Sequence, residues 1–151
     1  MRLTRTREEL RPKIELMKKG AEEKGVGLRQ RDLVASLLVA LGNDENEAMR
    51  TFAPFIVSIL RHLSPHQLKT AGIAQEEIPE IVRRYREKGW EDLPSKVYDL
   101  GVIGVEGCID AFGQVRDAGF IHAKFGGTLG PDKELAIEIF VEKVMPHFSS
   151  D

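Results

Sequence analysis

The 151 residues are 42% hydrophobic and 30% charged with a formal net charge of −2, enough apolar content for one domain-sized core. The longest apolar run, Leu33 to Leu41, is far shorter than the ~20 residues that cross a bilayer. The charged opening Met1-Arg2-Leu3-Thr4-Arg5 has no apolar export segment behind it, so a cytoplasmic location is expected. A single cysteine, Cys108, excludes an internal disulfide and a cysteine-based zinc site.

Charge is unevenly spread. Residues 1–31 hold ten Lys or Arg against five Asp or Glu, a surplus of five positive charges. Residues 91–151 hold five against eleven, a surplus of six negative charges. Such a gradient suits a basic arm on an anionic partner, or the pairing of opposite ends within one chain or between two.

In chain order, Thr6-Arg7-Glu8-Glu9 reads as a capping box, and a helix follows to about Lys24 with Leu10, Ile14, Leu16 and Met17 on its apolar side. Pro12 kinks it or marks its start, and Gly25-Val26-Gly27 ends it. Leu33, Val34, Leu37, Leu38 and Leu41 recur at helical spacing, which predicts a buried helix over 31–41 stopped by Gly42. Asn43 caps the next helix, which runs to about Leu63 past Pro54, and its first turn holds Asp44, Glu45 and Glu47. Ser64-Pro65 opens a short helix ending at Gly72, and another spans Gln75 to Gly89.

From Pro94 to Gly119 the spacing of Val97, Leu100, Gly104, Cys108, Ala111 and Val115 predicts a long helix. Gly101, Gly104 and Gly107 inside it would cost about 3 kcal/mol against alanine, so a close helix contact or a flat ligand must offset them. Otherwise Leu100 to Val105 is a short strand and the helix starts at Glu106. Phe120 to Phe125 reads as extended, Gly126 to Gly130 as a loop, and Pro131-Asp132 opens a last helix to about His147. The expected architecture is all-α, one domain over 1–151 with about six or seven helices in an irregular or orthogonal bundle and a mobile basic arm at 1–5.

Leu68, Gly72, Ile73, Ile78 and Ile81 match the spacing of a helix-turn-helix unit over 67–86. In that reading Arg83, Arg84 and Arg86 contact phosphates and Arg5, Arg7 and Arg11 form an arm. Glu76, Glu77 and Pro79 in the leading turns of the reading helix argue against it. His62 and His66 share metal-ligand spacing, but Ser64-Pro65 breaks the helix between them. Arg116 and His122 form an Arg-x5-His pair of a kind that chance supplies. The 126–130 loop reads as a structural turn, and Cys108 as a buried, inert thiol.

No constellation reaches the standard of an active site. The expected function is therefore a non-catalytic binding or adaptor module, self-associating or docking a protein partner. Its most specific form is a nucleic-acid-associated regulator using the 67–86 unit. The alternative is a helical protein with a small-molecule pocket over Gly101, Gly104, Gly107, Cys108 and Phe112. Neither version implies a cofactor, a metal or a membrane.

Overall fold

The computed structural model describes residues 7–29 and 33–149. It corrects the all-α expectation: three parallel strands in the order β2-β1-β3 form a sheet covered by helices on both faces. Helix α1 (Arg7–Glu23) precedes strand β1 (Val34–Ala40). Helix α2 (Glu45–Ile59), a 3-10 turn (Leu60–His62), α3 (Pro65–Thr70), α4 (Ile78–Lys88) and α5 (Ser95–Tyr98) then lead to β2 (Val102–Ile103). Helix α6 (Gly104–Asp117) connects β2 to β3 (His122–Leu129), and α7 (Lys133–Ile139) runs on into a π turn (Phe140–Val144) and a 3-10 turn (Met145–His147).

The predicted helix over 31–41 is β1. Its residues alternate: Ala35, Leu37 and Val39 enter one core with Leu41, while Leu38 and Ala40 meet the other. A strand covered on both faces is apolar at nearly every position, and such a run satisfies helical spacing by accident. Gly42 therefore closes a strand rather than a helix. The core on the α2–α5 side gathers Phe52, Ile56, Leu60, Leu68, Ile81 and Val97. On the opposite side Leu10, Val102, Cys108, Ala111, Val115, Ile139 and Val144 gather beneath α1, α6 and α7. Each fully buried large side chain in these layers contributes about 2 kcal/mol.

The predicted long helix over 94–119 is interrupted. Tyr98 ends α5, its hydroxyl donating to the Trp90 carbonyl at 2.8 Å, and β2 intervenes before α6. Most of the offset cost assigned to three helical glycines falls away, because Gly101 lies in the turn before β2 and Gly104 at the strand–helix junction with φ +76°, which leaves Gly107 inside α6 at about 1 kcal/mol. The extended reading of 120–125 holds, but the strand continues through the stretch expected to be a loop, as far as Leu129. There the register against β1 jumps: Leu38 faces Gly126 and Ala40 faces Leu129, so Gly127 and Thr128 bulge opposite Val39.

Local signals elsewhere are as the sequence implies. Ser64 and Gln67 form the capping box of α3. Asp44, not Asn43, caps α2, while Asn43 bonds the Glu47 carboxylate. The proposed Thr6 cap and the arm over 1–5 lie outside the described residues.

Two substitutions test this architecture. Gly130 has φ +139°, and a side chain there would enter the Leu41 carbonyl. Gly130→Ala is expected to lower unfolding free energy by about 3 kcal/mol in urea titrations, through strain and backbone displacement. Lys96 Nζ bonds both Glu77 carboxylate oxygens, at 2.6 and 2.8 Å, and ties the start of α4 to α5. That hydrogen bond, helped by the Ala74 amide, lowers the Glu77 pKa below its ordinary value of 4.5. A depressed carboxylate stabilises the fold above the unfolded pKa and ceases to as pH falls through the folded one. Glu77→Gln should therefore flatten the loss of stability between about pH 5 and pH 3, followed by denaturation across that range.

Candidate functional site

In parallel α/β structures, closed or open, ligands bind outside the carboxyl ends of the strands, where the loops to the following helices converge. Here that rim is built from three junctions. Strand β1 leads through Leu41-Gly42-Asn43 into α2, β2 passes directly into α6 at Gly104, and β3 leads through Gly130-Pro131 into α7. The first and third junctions are fastened together. The Leu41 amide donates to the Leu129 carbonyl at 3.0 Å, and Gly130 packs directly on the Leu41 carbonyl. Leu129 adopts φ +63°, an uncommon conformation for a branched side chain.

The electrostatics of the three helix N-termini differ. Asp44 accepts from the Glu47 amide at 2.8 Å, and the Glu47 carboxylate accepts from the Asn43 amide at 2.8 Å. Asp132 accepts from the Glu134 and Leu135 amides at 2.9 and 3.2 Å. The N-termini of α2 and α7 thus supply their own negative charge and repel a bound anion. Helix α6 has no side-chain cap, since Ile103 precedes it, so no cap side chain holds its leading amides. Glu106 in its first turn is exposed and lessens that attraction. On β3, Thr128 Oγ1 is buried without a hydrogen-bond partner. A buried orphan of this kind is a donor and acceptor in waiting.

The residues singled out from the sequence are dispersed. Gly101 has no room for a side chain because the buried Phe52 ring lies against it. With Val102 it lines a cleft of about 90 Å³ at the amino end of the sheet, together with Leu38, Ile56 and Leu100. Gly107 lies in α6, Cys108 faces the core, and Phe112 borders a separate aromatic cleft. Gly101, Gly104, Gly107, Cys108 and Phe112 therefore do not share one pocket. Arg116 and His122 both line the aromatic cleft, with Arg116 5.3 Å from the centre of the Phe148 ring.

The helix-turn-helix-like unit is structural. Leu68, Ile73, Ile78 and Ile81 are core residues under the sheet. Arg83 is engaged by Glu80 and Glu87 at 2.7 Å each, and Arg84 by Asp92 at 2.8 Å. Arg86 and Arg11 are exposed, Arg7 opens α1, and Arg5 lies outside the described residues.

The junction Val102-Ile103-Gly104 falls inside the short strand that the sequence allowed as an alternative over Leu100 to Val105, although the helix starts at Gly104 rather than Glu106. The helical spacing around it favoured the long helix instead.

No family model matches this sequence. Among curated proteins, the 5,10-methylenetetrahydromethanopterin reductase of Methanopyrus kandleri is 27% identical over 143 residues, 91% of this chain and 40% of the relative. Among solved structures, the coenzyme F420 dependent tetrahydromethanopterin reductase from Methanopyrus kandleri matches with a TM-score of 0.70 at 20% identity, over 95% of this chain and 43% of that one. The chain thus spans less than half the length of the relatives it matches. The likeness in structure identifies the fold as the parallel α/β arrangement of part of such a reductase.

These matches also correct the functional expectations. The related proteins are enzymes, against both the non-catalytic adaptor and the expected lack of catalysis. They give the nucleic-acid regulator no support, and the alternative of a helical pocket protein falls with the all-α fold. Among the described residues no helix is long and apolar enough to cross a membrane.

Cys108 takes no part at the rim. It is fully buried, and burial pushes its thiol up to about 12. Native protein is expected to resist a thiol-reactive dye at pH 8, and to react within the dead time once unfolded in denaturant.

Proposed function

We propose that this chain forms the strand-end rim of a cytoplasmic F420-dependent reductase acting on a methanopterin-type substrate. The observation that carries the reading is the sequence relation to the 5,10-methylenetetrahydromethanopterin reductase, which runs through 91% of the chain rather than through one motif. When bound, F420 supplies the electrons for the reduction.

The residues at the rim fit an anionic cofactor at one place. The amides at the start of α6, which no cap side chain holds, would donate to a negatively charged group, and the absence of a side chain at Gly104 lets that group approach the backbone. The unpartnered Thr128 hydroxyl offers a further hydrogen bond. Asp44 and Asp132 satisfy amides at the starts of α2 and α7, so the charged end of a cofactor is steered toward α6 and away from those two helix starts. The fastened Leu41–Leu129 junction holds the rim in one geometry, which limits the ordering cost of binding.

Calorimetric titration of the chain with F420 tests the reading. Binding is expected, and Glu106→Gln should tighten it about two- to fivefold by removing a carboxylate beside the α6 amides. Glu106→Lys should tighten it further. A chain that takes up no F420, or Glu106 variants that bind like the parent, would overturn the proposal.

A further inference from the structure

The cleft at the amino end of the sheet lies away from the rim. All of its walls are elements of this chain: α1, β1, the end of α2 and the turn after it, α3, and the turn that leads into β2. Its interior is apolar, with Leu38, Ile59 and Leu63 half-buried around it. Ile56, also in its wall, is fully buried, so the cleft reaches into the core.

The mouth has a different character. Its ionisable groups are Lys13, from α1, and His66, from the first turn of α3, both exposed and both of the kind that carries positive charge. Among the described residues neither the Lys13 ammonium nor the His66 ring has a hydrogen-bond or ion-pair partner. Gln67 stands beside them. Its side-chain oxygen already accepts from the Ser64 amide at 2.9 Å and the Ser64 hydroxyl at 3.0 Å, which leaves its amide nitrogen as a donor. Thr70 spends its proton on the His66 carbonyl at 2.8 Å. No carboxylate lines the cleft.

An apolar recess with donors and cations at its mouth suits a ligand with an apolar tail and an anionic head. We propose that this cleft binds a short straight-chain carboxylate, the chain among Leu38, Ile59 and Leu63 and the head at Lys13 and Gln67. Volume sets the length. An apolar cavity of roughly 150 Å³ takes up a six-carbon ring, so about 90 Å³ suits about four carbons beyond the carboxyl group. Because Lys13 is exposed, its charge contributes little, and most of the affinity comes from the buried chain. The proposal rests on this cavity alone and is independent of the cofactor reading.

Titration of the full chain with straight-chain carboxylates, followed by amide chemical shifts, provides the test. Affinity is expected to rise about fourfold per methylene up to pentanoate and to rise no further beyond it. The shifts should centre on 36–38, 66–70 and 100–102. Pentylamine should bind about fivefold more weakly than pentanoate, or worse. Lys13→Gln should weaken pentanoate about two- to fivefold and leave 1-pentanol unchanged, which separates a contact to the carboxylate from altered packing. Leu63→Ala enlarges the recess and should move the preferred ligand to hexanoate or longer. Circular dichroism reports the fold of both variants. Affinity that ignores chain length, shifts centred elsewhere, or pentylamine bound as well as pentanoate would each overturn the proposal. So would Lys13→Gln binding pentanoate like the parent, or Leu63→Ala keeping the parent's preferred length.

Discussion

The structure depends on the burial of β1 between two helical layers. Val34–Ala40 pairs with β3 along most of its length and with β2 at its end, and it divides the apolar residues into two cores. Every other element is placed by that strand: α2–α5 cover the face of Leu38 and Ala40, while α1, α6 and α7 cover the face of Leu37 and Val39. Burying the carboxyl-terminal half of the strand on both faces, and Ala35 and Leu37 on one, satisfies the hydrophobic demand, and the ladder to β3 satisfies its backbone.

A consequence is felt at the strand ends. Because all three strands run parallel, their carboxyl ends lie on one rim, and the helices that follow them begin there. Two of those helices are closed by aspartates one residue before their first turn, and these acids hold the first amides while stiffening the loops. The third begins straight from an apolar strand through Gly104, with no side chain to serve as its cap. The same fold thus produces two sealed corners and one open one. That asymmetry, rather than any cluster of reactive side chains, gives the rim its chemical character.

Several features were legible in the residues themselves. Ser64, Pro65 and Gln67 announce α3, Gly89 closes α4, and Asp132 opens α7, because caps and stops act within one turn of chain. Cys108 reads as an inert thiol from its apolar neighbours, and the structure buries it completely. The misreadings share a cause. Leu33 to Leu41 satisfies helical spacing because the strand is apolar almost throughout and buried on both faces toward its carboxyl end, though Val34 and Ser36 stay exposed, and periodicity cannot separate that case from a buried helix. The Gly126–Leu129 stretch reads as a loop because glycines dominate it, yet it is the bulged end of β3.

By itself, then, the sequence determined the starts of α3 and α7, the stop of α4, the apolar content for a domain-sized interior, and the charge difference between the two ends. These are local or additive properties of the chain. Tertiary structure alone decided that Val34–Ala40 is a strand, that β3 returns past β2 to pair with it, and that Gly104 opens an uncapped helix at a shared rim. Those outcomes come from contacts between residues far apart in the chain, such as Val34 beside His122. An apolar run is neutral between helix and strand until a partner strand and two covering layers are present to choose.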